Sequence, residues 1–85
     1  MKLNILFFAS LREELGADRE QVDLPSTVTT IGQLKDWLGQ RGEHWQLALA
    51  DNRSLGIAVN QALANNETKL TDGAEVAFFP PVTGG

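Results

Sequence analysis

The sequence predicts an α+β domain of two layers: a mixed four- to five-stranded sheet covered on one face by a helix. Three observations carry this expectation. Short stretches alternate apolar and polar residues with a period of two. One longer stretch, from Ile31 to Leu38, spaces its apolar residues for one side of a helix. The 85 residues leave room for a single small core.

The first strand runs from Leu3 to Ala9. Leu3, Ile5, Phe7 and Ala9 share one face, and Asn4, Leu6 and Phe8 share the other. Ser10-Leu11-Arg12-Glu13 has the spacing of a capping box, so a short helix follows, with Gly16 placed to stop it. Val22 and Leu24 alternate with Asp23 in a second strand, closed by Pro25. Thr30-Ile31-Gly32-Gln33 is another capping-box pattern. It opens the main helix, which carries Ile31, Leu34 and Leu38 on one side and ends at Gly39 or Gly42. Trp45, Ala48 and Leu49 suggest a further helical turn or two. Leu55, Ile57 and Val59 mark a third strand, facing opposite to Gly56 and Ala58. Asn65-Asn66-Glu67 and Thr71-Asp72-Gly73 are turns. Glu75 to Phe79 is the last strand, ended by Pro80-Pro81, which cannot donate to a ladder. Residues 1–81 are thus expected to form the domain, and 82–85 a flexible tail.

Hydrophobic residues make up 42% and charged residues 21% of the chain, the proportions of a folded domain. The net charge is −4, which argues against nucleic acid as a partner and favours a basic protein surface. The chain has no cysteine and one histidine. Disulfides, zinc fingers and thiol nucleophiles are excluded, and no metal site is expected. No apolar run approaches the roughly 20 residues of a membrane span, and no secretory signal is legible. The expected setting is the cytoplasm, without membrane attachment.

The chain ends Val82-Thr83-Gly84-Gly85. Two glycines at a terminus suit a narrow channel, because they bring the backbone close to another protein without side chains in the way. From Val82 to Gly85 the reach is about 13–14 Å. The reactive group would be the terminal carboxyl of Gly85. It is ionised at neutral pH and a poor electrophile, so it needs activation. The chain has no G-x-x-x-x-G-K sequence to bind ATP, so a separate enzyme must supply that step.

The run from Leu70 to Gly85, LTDGAEVAFFPPVTGG, resembles the C-terminal signature of the small subunit of molybdopterin synthase. Leu6-Phe7-Phe8-Ala9 with Leu11-Arg12-Glu13, the Trp45 to Leu49 segment and Ala58-Val59-Asn60-Gln61 are also similar to that family. The resemblance implies a ubiquitin-like β-grasp fold and a sulfur cycle. Gly85 would be adenylated by an ATP-dependent activating enzyme and converted to a thiocarboxylate. The large subunit, in a heterotetramer with two of each chain, would use that sulfur to build the molybdopterin dithiolene from a cyclic pyranopterin phosphate. The chain would be a non-catalytic sulfur donor holding no permanent cofactor, with ATP consumed by its partner. The sulfur source is not encoded in the sequence. Three other readings stay open: a thiazole-pathway sulfur carrier, a protein modifier joined through Gly85 to lysines, and an adaptor with an inert tail.

Parity locates the expected partner surface. Phe8 points away from Phe7, and Phe79 lies with Ala77 opposite Val76 and Phe78. Both aromatics should therefore lie on the uncovered sheet face, joined by Leu63, with Pro80 and Pro81 at the base of the tail. Thr83, Gly84 and Gly85 would enter the partner's active site. No residue is assigned a catalytic role. His44 reads as a surface residue, Glu13 and Glu14 as helix-end and solvated charges, and Trp37 as packing. Lys2, Lys35 and Lys69 read as surface charges.

Overall fold

The computed structural model describes residues 1–80; the expectations for Pro81, Thr83, Gly84 and Gly85, and for the tail 82–85 as a unit, fall outside them. In chain order the elements are β1 (Lys2–Phe7), α1 (Ser10–Leu15), β2 (Arg19–Asp23), α2 (Ile31–Gly39), α3 (Glu43–Ala48), β3 (Gly56–Val59), β4 (Ala62–Leu63) and β5 (Glu75–Phe79). The five strands form one sheet in the order β2-β1-β5-β3-β4. β1 and β5 pair in parallel at its centre, and the other neighbours are antiparallel. This is the mixed sheet with a one-sided helical cover expected of a β-grasp.

The alternation decides which face is dry. Leu3, Ile5, Phe7, Val22, Ile57, Val76 and Phe78 are buried against Leu11 and Leu15 of α1, Ile31, Leu34 and Leu38 of α2, and Trp45 and Ala48 of α3. The Phe7 ring stacks on Phe78 with centroids 5.9 Å apart, and meets Trp45 edge-on at 5.6 Å. Such aromatic contacts add to plain area burial. Trp37 is only partly buried and packs against this cluster.

The capping box at Thr30 forms. The Gln33 N–H donates to Thr30 Oγ1, and the Thr30 N–H donates back to Gln33 Oε1. Two more amides at this helix start, Ile31 and Gly32, donate to the carbonyls of Thr68 and Asn66, so the 66–70 segment meets the backbone donors that a helix start leaves unpaired. A Cβ on Gly32 would lie 3.3 Å from the Asn66 carbonyl oxygen, so a side chain there would require the 66–70 segment to move back by a few tenths of an ångström.

The first capping box does not form. β1 stops at Phe7, and Ser10 is already helical. The N-cap position is Ala9, with no side-chain cap, at φ 54° and ψ −132°. The Leu11 N–H donates to the Phe8 carbonyl at 3.2 Å, closing a tight reversal. The chain must turn immediately after the strand, and that turn takes the position a serine cap would need. Gly16 does end α1, in the left-handed region.

β4 has no counterpart in the sequence reading. Val59 pairs with Ala62 across a two-residue loop, and both loop residues, Asn60 and Gln61, have positive φ. That is the signature of a type I′ hairpin. Asn60 is further held by β5: its Oδ1 accepts from the Glu75 N–H at 3.0 Å, and its own N–H donates to the Glu75 carbonyl at 2.8 Å.

Among the charged residues, Lys35 corrects the expectation of a surface charge. It is only 8% exposed, and its Nζ donates to Asp51 Oδ1 at 2.8 Å and to Asn66 Oδ1 at 3.2 Å. Glu14 is not merely solvated: both its oxygens accept from the Arg53 guanidinium, at 2.8 and 3.0 Å. That forked hydrogen bond holds the Glu14 carboxyl below its ordinary range and raises the Arg53 pKa. Arg41 makes the same fork to Glu20, at 2.6 and 2.8 Å, with its guanidinium 4.6 Å from the Trp45 ring centre. It thereby fastens the turn after α2 to β2.

Candidate functional site: the uncovered sheet face

All three helices pack on one side of the sheet, so the other side is bare. Its composition follows from register. Leu6 faces Ala77, Ala77 faces Ala58, and Ala58 faces Leu63. These four residues make one apolar row across β1, β5, β3 and β4. The next rung towards the end of β5 pairs Phe79 with Gly56. On the opposite side of that row the pairing is Gln21 with Asn4 and Asn4 with Glu75. A shallow depression there, about 480 Å³, is lined in part by Asn4, Leu6, Arg19, Gln21 and Glu75. The face is thus apolar at the end where β5 finishes and polar at the other.

The expected interface residues divide accordingly. Leu63 is 85% exposed, the most open large apolar side chain among the described residues. Phe8 is 45% exposed. It lies just past β1, but its N–H still donates to the Phe78 carbonyl at 3.1 Å, so the alternation carries through to it. Phe79 is half-buried without any helix above it, because its ring lies over Gly56: a Cβ built there would run into ring atoms Cδ2, Cε2 and Cζ. Pro80 is half-buried and follows β5 directly.

Sequence reasoning missed Leu6, Ala58 and Gly56 as members of this face. Parity already put Leu6 beside Phe8, and Gly56 beside Ala58, on the outer sides of their strands. What it lacked was the pairing of β5 between β1 and β3, which turns separate outer residues into one row. His44 is exposed, as expected. Among the described residues no group of three His, Cys, Asp or Glu side chains is placed to hold a metal ion, and no helix is long and apolar enough to cross a membrane. The arrangement offers an exposed apolar surface at the end of the sheet where β5 finishes.

The model of the ThiS family matches residues 5–85. The molybdopterin synthase sulfur carrier subunit of Escherichia coli is 46% identical over 85 residues, covering 98% of this chain and 99% of that one. Its namesake from Haemophilus influenzae is 43% identical over 83 residues, with the same coverage. Among solved structures, a Pyrococcus furiosus protein described as subunit 1 of molybdopterin converting factor superposes with a TM-score of 0.79 at 26% identity, over 96% of this chain and 99% of that one. The chain belongs to the ThiS family, among the sulfur carrier subunits of molybdopterin synthase.

Proposed function

We propose that the chain carries sulfur on the carboxyl of Gly85 and delivers it, in the cytoplasm, to the large subunit of molybdopterin synthase. The cycle has three steps. An activating enzyme joins the carboxylate to ATP, giving a glycyl adenylate and releasing pyrophosphate. A sulfur nucleophile displaces AMP and leaves a thiocarboxylate. That sulfur attacks a carbon of the cyclic pyranopterin phosphate in the large subunit's active site, a C–O bond of the pterin breaking as the C–S bond forms; water then cleaves the acyl–sulfur bond, leaving the sulfur on the pterin and Gly85 as its carboxylate. Two charged carriers are consumed for each dithiolene. The chain itself does no catalysis; Thr83, Gly84 and Gly85 enter the partner's site, while Phe8, Leu63, Phe79, Pro80 and Pro81 seat the domain against it.

The full-length match to sulfur carrier subunits at 43–46% identity is the observation that carries this reading. The apolar end of the bare face, at the base of the tail, supports it. Incubation with ATP, the activating enzyme and a sulfur source should raise the intact mass by the difference between one sulfur and one oxygen. A protein that gains no mass under conditions that charge a known carrier would sink the proposal. A ladder of lysine conjugates in cell extract would identify a protein modifier instead.

A further inference from the structure

Gly56 is the first residue of β3, paired in regular register with Phe79, the last residue of β5, one step before Ile57 pairs with Phe78. Glycine packs no side chain and loses more freedom on folding than any other residue, so a strand position that holds it calls for a reason. Its usual justifications are absent. Gly56 is not among the glycines with positive φ, and the unbroken register leaves no bulge. What remains is space. The volume of the missing side chain is filled by three atoms of a rigid ring, the close approach that a strand glycine often marks.

We propose that Gly56 is a positioning residue for partner docking: the Gly56–Phe79 rung lays the aromatic ring flat on β3 and fixes it there before a partner arrives. The proposal rests on the docking role given to the bare face above. A ring already immobilised loses little freedom on binding, and rotamer-rich side chains lose more. A ring lying flat also keeps the apolar end of the face level with the Leu6–Ala77–Ala58 row, so that it fits a planar apolar surface. Phe79 is the last strand residue before Pro80, so holding its ring also fixes the chain at the point from which the tail departs.

Two measurements test this. In the free protein, the Gly56 α-protons lie against the aromatic face and should resonate upfield of ordinary strand glycines; F79A should abolish that shift. Large-subunit affinity is then measured for wild type, G56A, F79A and the double variant, after circular dichroism confirms each fold. G56A must push the ring off β3 and should weaken binding about tenfold. In the F79A background the same change should alter affinity less than twofold, because there is no ring to displace. Equal losses in both backgrounds would show that Gly56 acts through the strand and not through Phe79, and would overturn the inference. So would wild-type affinity in G56A, or α-protons at ordinary positions. Wild-type protein with shifted α-protons but no affinity for the large subunit would overturn the docking reading, and the positioning role with it.

Discussion

Lys35 Nζ and Asp51 Oδ1 lie 2.8 Å apart, yet the lysine is 8% exposed and the aspartate 78%. The pair is lopsided: a buried cation reaches out to a wet anion, with Asn66 as second acceptor. Removing the charge therefore leaves no buried ion behind, since Asp51 stays in water. Lys35→Met keeps most of the buried stem and should cost less than about 1.5 kcal/mol, as volume-conserving swaps do. Lys35→Ala removes the stem and should cost about 2–4 kcal/mol. Urea unfolding of both variants checks this. An equal loss in the two would show that the ion pair, and not the stem, is what matters.

Acid should loosen the same region. Hydrogen bonds from Lys35 and Asn66 hold the Asp51 carboxyl below its ordinary range, and the Arg53 fork does so for Glu14. A carboxylate with a depressed folded pKa contributes stability that is fully present above its unfolded pKa and is lost as pH falls through the folded one. The urea midpoint should hold from neutrality down to about pH 4.5 and fall below it. The Asp51→Asn, Glu14→Gln double variant should show a shallower acid limb.

Ala9 occupies a backbone region that suits glycine. Ala9→Gly should raise stability by about 1 kcal/mol, because relief of the steric cost exceeds the entropy that glycine adds to the unfolded chain. Thermal unfolding measures it. A lower midpoint would mean that the turn after β1 is held by something other than local geometry.

Phe79→Asp should weaken large-subunit binding by several kcal/mol, the scale of a central interface anchor. The fold should survive, because Phe79 packs on the sheet surface and not in the core beside Phe78. Circular dichroism and calorimetry together decide it; loss of structure would place Phe79 among the core residues.

Deleting Gly85 leaves a carboxylate on Gly84 that falls about 3.3–3.6 Å short. Misplacement by 1 Å can cost roughly 100-fold in rate, so sulfur transfer should vanish. The thermal midpoint should not move, since the core closes among residues 3 to 78. The assay is molybdopterin formation with purified large subunit and charged carrier. Full activity from the shortened chain would show that the terminal carboxyl does not bear the sulfur.

Legibility in the sequence followed the range of the forces involved. β5 was legible to the residue, because a glycine turn precedes it, prolines follow it and its alternation is strict. The Thr30 capping box was legible because its partners lie three residues apart. β4 was hidden by its two-residue length and by a loop of Asn60-Gln61, a weaker hairpin signal than Asn-Gly. The Lys35 cluster joins residues 16 and 31 positions away, and no local pattern announces it. Phe8 and Phe79 follow from parity within their strands, whereas Leu63 is joined to them without a parity argument, because the sequence marks no strand around it. The Phe79 ring on Gly56 required knowing which strand lies beside β5.

The place of β5 in the sheet has a mechanical consequence. Tension applied to the chain beyond Pro80 would enter the domain through β5. β5 is hydrogen-bonded along both edges, to β1 in parallel and to β3 in antiparallel. Tension along it loads both ladders in shear, so many bonds resist together. Had the tail left from β2 or β4, at the sheet's margins, the same tug would peel bonds one after another. A pull on the C-terminal end of β5 is thus met by two ladders at once and not by one bond at a time.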